Sequence, residues 1–381
     1  MGTVYDYLTW RGDLTFRAAP FCEVDSLILS MFSYLDMKNI VPAPEEEGNI
    51  TVWAASKAFL ERHPDPKKSK MGVLIPKDIL KMMRAMRSTK RFGTLKMSGF
   101  VNIIDTESEL QFSAVTFLLN DGTAVVTYRG TDDTLVGWKE DMNMCFLPVV
   151  PAQIKAVEYL SAVAQKHQGK LILTGHSKGG NLAVYAAVHS DAAIRERITA
   201  VYSNDGPGFG KNILDDPDYI EMRPRINNLV PQSSIVGMLL EHDENFTVVK
   251  SRQKSGLLQH NGLSWEILGN SFIHLEDVTR DSRKLDRTVN QWIRDMTPKQ
   301  REEFAEAVYQ LFSVEGVQTL TDLVAARKKW FSHTKNLDPK VHETIQKMLS
   351  ELIGINKLGK IKDFFRRSEG KSKTNTLNQT E

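Results

Sequence analysis

Residues 171–180, Leu-Ile-Leu-Thr-Gly-His-Ser-Lys-Gly-Gly, restrict what this chain can become more than any other stretch. An apolar strand pattern (Leu171 to Thr174) runs into Gly175-x-Ser177-x-Gly179 and straight out into a helical pattern (Gly179 to His189). A serine on so sharp a strand-to-helix turn needs small neighbours, because side chains at either flank would collide with the strand and the helix. The helix then points its amide-rich end at the serine and favours negative charge there. A bare G-x-S-x-G arises often by chance, and a simple Ser/Gly turn is the bland reading. The strand before and the helix after are the context that marks a nucleophile. Ala183, Ala186 and Ala187 give that helix a slim packing face.

The surrounding pattern places this turn in an α/β architecture. Phe100 to Ile104, Leu110 to Leu119 and Thr123 to Tyr128 are rich in β-branched and aromatic residues, and Asn120-Asp121-Gly122 between the last two signals an antiparallel hairpin. After Pro151 a helical segment (Ala152 to His167), a strand (Leu171 to Thr174), a second helix and another strand (Ile198 to Ser203) alternate. Such alternation predicts a mostly parallel central sheet with helices on both faces, as in an α/β-hydrolase fold. Later strands are expected at Met222 to Val230, Phe246 to Lys250 and Trp265 to Leu268. Earlier, Val24 to Tyr34 reads as a buried helix and Asp78 to Arg87 as a helix with Ile79, Leu80, Met83 and Met86 on one face. The expected organisation is a helical segment over 1–95 that forms a lid or cover, a core over 96–285, a helical C-terminal extension over 286–367 and a disordered tail over 368–381. The methionine-rich stretch Lys81 to Met86 suits a lid over an acyl pocket, with ordinary core packing as the alternative.

A serine hydroxyl needs a base, and the base an orienting carboxylate, in the chain order Ser, Asp or Glu, His. Asp205 lies where the apolar strand Ile198 to Ser203 breaks into Gly206-Pro-Gly, a strand end at which ligand sites gather; it could equally only cap that turn. Of the five later histidines, His260 is favoured, because it sits in a loop, Gly256-Leu-Leu-Gln-His-Asn-Gly, able to swing an imidazole across the top of a sheet. His242 ranks second and His274 third, while His333 and His342 fall in the helical C-terminal part. An oxyanion hole needs two backbone N–H donors. Lys178 follows the nucleophile, and Thr131 follows Gly130 at the end of Val125 to Arg129.

Composition sets the limits. With 381 residues, 41% hydrophobic and 25% charged, the chain can bury a core large enough to hold such a site. A formal net charge of +2 gives no global field that would draw nucleic acid. Cys22 and Cys145 are the two cysteines and read as buried thiols, with a single disulfide open. The first seventeen residues carry Asp6, Arg11 and Asp13 and lack a signal peptide's apolar stretch, and no run of about 18 apolar residues occurs. The expected location is cytoplasmic. No metal or organic cofactor is implied. Residues 353–373 interleave Lys357, Lys360, Lys362, Arg366 and Arg367 with Ile361, Phe364 and Phe365. A basic amphipathic end of this kind suits peripheral contact with an anionic membrane, or is simply a solvated helix.

These residues resemble known proteins. Tyr128-Arg-Gly-Thr followed by Gly137-Trp-Lys-Glu-Asp is similar to the oxyanion loop of class 3 lipases, and Thr174-Gly-His-Ser-Lys-Gly-Gly to their nucleophile turn. The chain to about residue 285 resembles more closely the Mbeg1-like proteins, a bacterial lipase-like family, through Asp6-Tyr-Leu-Thr-Trp, Val24-Asp-Ser-Leu-Ile-Leu-Ser and Asp205-Gly-Pro-Gly-Phe. The resemblance implies Thr131 and Lys178 as the oxyanion amides, Arg129 with Asp141 bracing the loop, and a non-catalytic His242. It also implies His260 as the base, in a loop like the lipases' D-H-x-x-Y. Two positions depart from the lipases. Asn228, before Leu229-Val230-Pro231, stands where their usual acid does, and Asp205 instead resembles the acid of pancreatic-type lipases. Lys178 replaces a leucine, and its side chain could favour an anionic head group. The expected function is therefore a serine hydrolase acting on a lipid or other acyl ester, with a thioesterase or acyltransferase, and a binding protein with a degenerate triad, as the alternatives.

Overall fold

The computed structural model describes residues 1–63, 78–145, 147–241, 246–254 and 256–319, with 322, 323, 326, 329, 330 and 333. His242, His342, the basic stretch 353–373 and the tail 368–381 lie outside the described residues. The strands are β1 (Ile50–Thr51), β2 (Lys96–Asp105), β3 (Leu110–Leu118), β4 (Ala124–Tyr128), β5 (Leu171–His176), β6 (Ile198–Asn204), β7 (Ile226–Pro231), β8 (Phe246–Val249), β9 (Ile267–Leu268), β10 (Ser271–Phe272) and β11 (His274–Leu275). Nine of them form one sheet in the order β1-β2-β3-β4-β5-β6-β7-β8-β11, and β9 pairs with β10. The run β4 to β8 is parallel; β1 to β4 are joined antiparallel on one flank, and β11 is antiparallel to β8 on the other. The architecture is thus mixed α/β, with its parallel block in the middle. The β3–β4 hairpin closes at Leu118 opposite Ala124, across the Asn120-Asp121-Gly122 turn.

Before the sheet come α1 (Val4–Trp10), α2 (Glu23–Phe32), α3 (Val52–Arg62), α4 (Ile79–Arg87) and α5 (Lys90–Gly93). Within and after it come α6 (Leu135–Met144), α7 (Pro151–Lys166), α8 (Lys178–Val188), α9 (Ala192–Arg195), α10 (Lys211–Leu214), α11 (Pro217–Met222), α12 (Gly256–Gln259), α13 (Arg280–Asp295) and α14 (Pro298–Phe312). Alternation along the strands sorts them into two layers. Val115, Phe117, Val125 and Ile172 face α1, α2 and α4, while Ala124, Val126, Tyr128, Leu171 and Leu173 face α7 and α8. Met82, Met83 and Met86 are fully buried in the first layer, so the methionine face of α4 is used for packing within the core.

Two of the expected strands start later than the sequence reading has them. The strand expected from Met222 begins at Ile226, because Pro224 lies in a short 3-10 turn, Arg223–Arg225, that continues α11. Of the strand expected over Trp265 to Leu268, only β9 is regular, since Gly262–Ser264 is another 3-10 turn with Trp265 as its C-cap. Beyond the sheet, Trp292 and Phe304 stack edge-to-face at 5.1 Å and pack with Met296 against Cys145, fastening α13 and α14 beside the end of α6. Cys22 and Cys145 are both free thiols. Among the described residues no helix is long and apolar enough to cross a membrane.

Candidate active site

Ser177 occupies the step between β5 and α8 with φ 58° and ψ −133°, a conformation that L-residues hold only when the surroundings over-determine it. The flanking glycines make the step possible. A Cβ on Gly175 would lie 2.0 Å from the carbonyl oxygen of Gly179, and one on Gly179 would lie 2.2 Å from that of Tyr128. The turn is pinned by Ser177 N–H donating to Asn204 O at 3.0 Å and Gly180 N–H donating to Ser177 O at 2.8 Å. From beneath, α2 holds β5 through a hydroxyl, and β6 holds it through an amide. Ser30 Oγ and Thr174 Oγ1 are 2.8 Å apart, and Asn204 Nδ2 donates to Gly175 O at 3.0 Å.

Asp205 directly follows β6, is fully buried and also takes a left-handed backbone, φ 52°. Its Oδ2 accepts the Nδ1–H of His260 at 2.6 Å, and its Oδ1 accepts Ser234 Oγ–H at 2.5 Å and Gly237 N–H at 3.1 Å. A Cβ at Gly237 would stand 2.2 Å from Oδ1, so this anchor requires glycine. With Nδ1–H committed to the carboxylate, His260 Nε2 is left with a lone pair, the state a general base needs. His260 follows α12, whose Gln259 accepts Ser233 N–H at 2.8 Å and donates to Gln253 O at 2.7 Å, while the buried Trp265 Nε1–H donates to Gln259 O at 2.9 Å.

His176, immediately before Ser177, joins the two sides. Its ring lies 4.5 Å from that of His260, its Nε2–H donates to His260 O at 2.7 Å, and its Nδ1 accepts the hydroxyl of Tyr34 at 2.9 Å. Burial, with His260 alongside, pushes its pKa down to about 3, so the ring stays neutral. Sequence reasoning missed Tyr34, His176, Ser234 and Gly237. The histidine stood in plain view beside Ser177, whereas the other three carry no motif of their own.

On the opposite side, the loop after β4 approaches Ser177 so closely that a Cβ at Gly130 would lie 3.0 Å from that of Ser177. Thr131 Oγ1–H donates to both carboxylate oxygens of Asp141 at 2.6 Å. Asp141 keeps 29% of its side-chain surface open, yet the protein packed around it desolvates the carboxyl enough to raise its pKa to about 6 against the pull of the Lys178 cation. Thr134 caps α6 by accepting Gly137 N–H at 3.2 Å, which sets the helix that carries Asp141.

Two expectations, those for Arg129 and Lys178, take a different form. Arg129 pairs with Asp132 at 2.9 Å and donates to Asn102 at 3.0 Å, so it is not the partner of Asp141. The side chain of Lys178 points inward, 1% exposed, with Nζ 2.7 Å from Glu140 Oε2, and is not available to a head group. Asn228 sits within β7 opposite Ser203, while the carboxylate at His260 comes from the end of β6. His274 bonds Glu23 at 2.9 Å, and His333 bonds Gln310 O at 2.8 Å. A cavity of about 410 Å³ opens past the first turn of α8, between Asn181, Met144, Phe209, Leu240 and the arginines 294 and 301. Among the described residues no group of three or more His, Cys, Asp or Glu could hold a metal ion.

A family model described as Mbeg1-like matches residues 86–310. No curated protein matches the sequence significantly. The native Rhizomucor miehei lipase propeptide complex aligns at 14% identity over 63% of this chain and 75% of its own, with a TM-score of 0.35, a likeness too low to carry fold or function.

Proposed function

Because the chain belongs to the Mbeg1-like family, and because a buried carboxylate orients an imidazole whose ring lies 4.5 Å from that of His176, the residue before a strained serine, we propose that it is a serine hydrolase of the α/β-hydrolase type that cleaves a carboxylic ester. The observation that carries this reading is the 2.6 Å bond from His260 Nδ1–H to Asp205. It leaves Nε2 as the proton acceptor and supplies a carboxylate to stabilise the imidazolium that forms.

In this reading Ser177 Oγ attacks the ester carbonyl carbon while its proton passes to His260 Nε2. The carbonyl electron pair moves to oxygen, and the resulting oxyanion accepts the backbone N–H groups of Thr131 and Lys178 at the amino end of α8. Collapse expels the alcohol, which takes the proton from His260 and leaves an acyl-Ser177 ester. Water then attacks that ester with His260 again as base and releases the carboxylic acid. The bond from His260 to Asp205 supports this reading over a binding protein with a degenerate triad, because it brings a carboxylate to the imidazole although Asn228 stands where the lipases' usual acid does. The acyl donor, ester or thioester, is a matter of substrate and not of this geometry.

The test is labelling with a fluorophosphonate probe together with hydrolysis of p-nitrophenyl esters of graded chain length. Wild type is expected to label stoichiometrically and Ser177→Ala not at all, with hydrolysis reduced by roughly four orders of magnitude or more. Unlabelled, inactive wild type overturns the proposal.

A further inference from the structure

We propose that the side chain of Lys178 is a positioning group for the oxyanion hole: paired with Glu140, it sets the distance between the two segments that carry the donor amides. The proposal rests on the hydrolase reading above and adds a residue function to it. The two donors come from unrelated places, the loop after β4 for Thr131 and the start of α8 for Lys178, so something must hold their separation. Useful oxyanion geometry tolerates errors of only about half an ångström.

The buried contacts trace that brace atom by atom. Lys178 Nζ donates to Gln111 O at 2.9 Å, to Gln111 Oε1 at 2.7 Å and to Glu140 Oε2 at 2.7 Å. An ammonium has three protons, and all three are matched. Glu140 Oε2 also accepts Gln111 N–H at 3.1 Å, and its Oε1 accepts Ala152 N–H at 2.9 Å, which ties in β3 and the first turn of α7. The next residue on α6, Asp141, holds the Thr131 hydroxyl and lies 4.0 Å from Lys178 Nζ. One turn of α6 is therefore fastened through Glu140 to the residue that bears one donor and through Asp141 to the residue that bears the other.

Packing alone does not call for this arrangement. The Lys178 and Glu140 side chains are 1% and 0% exposed, and removing two charges from water carries a desolvation penalty that apolar residues of like volume would avoid. What charges add is direction. Three matched donors fix the ammonium, and with it the backbone from which its stem leaves, whereas an apolar stem can slide.

The experiment compares wild type with Lys178→Met, and with Lys178→Met combined with Glu140→Gln, in the full-length chain. The double variant removes both charges, avoids a lone buried carboxylate and keeps an acceptor on α6. Competent sites are counted by fluorophosphonate titration, so kcat for p-nitrophenyl butyrate refers to folded molecules only. The expected result is a kcat reduced about 10- to 100-fold in both variants with KM within about twofold, a fraction of the effect of losing one donor outright. A double variant with wild-type kcat per titrated site, or one in which KM rises while kcat stands, overturns the proposal. Failure of the wild type itself to titrate would instead strike the hydrolase reading.

Discussion

The two flanks of Ser177 are built by opposite means. On the Thr131 side, Lys178, Glu140, Gln111 and Asp141 form a set of hydrogen bonds around charged side chains, spread over β3, α6, α7 and α8. On the His260 side, a four-residue helix and a loop carry the imidazole, which is 22% exposed and held by one carboxylate and one neighbouring ring, while the backbone carbonyl of His260 accepts from His176. In the proposed mechanism the first flank presents fixed dipoles to a charge that appears only during reaction, and rigidity serves that. The second, in the same proposal, passes a proton back and forth, and needs an orientable ring more than a locked one. The difference also predicts opposite responses to acid.

The comparison breaks most visibly at the carboxylate. Asp205→Ala is expected to lower kcat by roughly 10³- to 10⁴-fold, and Asn228→Ala to leave it within about threefold, in steady-state ester hydrolysis. Equal losses would move the acid to β7.

A smaller effect concerns acid stability on the His260 flank. The folded pKa of His176 lies at about 3, below the ordinary value near 6.5, so the unfolded chain takes up a proton first as pH falls. The stability tied to the neutral ring is complete above about pH 6.5 and declines as pH drops toward 3. Between pH 6 and 4, wild type should lose about 1.4 kcal/mol more per pH unit than His176→Gln, read from urea midpoints. Parallel slopes would place no titration at this ring.

The smallest effect lies on the Thr131 flank, with the sign reversed. Asp141 has its folded pKa raised to about 6, above the ordinary value near 3.9, so here the folded chain holds the proton longer. Its contribution to stability is greatest below about pH 4, falls as pH rises to 6 and is level beyond. Asp141→Asn should therefore match wild type near pH 4 and exceed it by about 1–2 kcal/mol at pH 8, after allowance for its partly open surface, while hydrolysing ester more slowly. A gain that does not grow with pH would show that desolvation of this carboxylate is not its origin.

Sequence carried some of this and not the rest, for reasons visible residue by residue. The turn at Ser177 was legible because tight backbone approach admits few residues other than glycine on either side. Asp205 and His260 could be nominated, since strand ends and loops are few, but their meeting depends on the register of β6 against β7 and on how α12 lies over them. The direction of the Lys178 side chain was not legible at all. Local sequence offers solvent and interior equally, and the choice is made by Gln111 and Glu140, 67 and 38 residues away. The same holds for Arg129, whose partner Asp132 was one of several nearby acids.

The first core layer has a temporal side. The apolar faces of α1 and α2 are closed by Leu263, Trp265, Ile267 and Phe272, and the backbone of Gly2 bonds that of Ile267 in both directions. During synthesis the leading helices emerge more than two hundred residues before this segment, and such distant pairings form slowly. Until the ribosome has delivered Trp265 and its neighbours, the part of those greasy surfaces that they seal stays open, even with α4 and the central strands in place, and offers a holding chaperone its natural target. A fragment that ends before that tryptophan would leave that part bare for good.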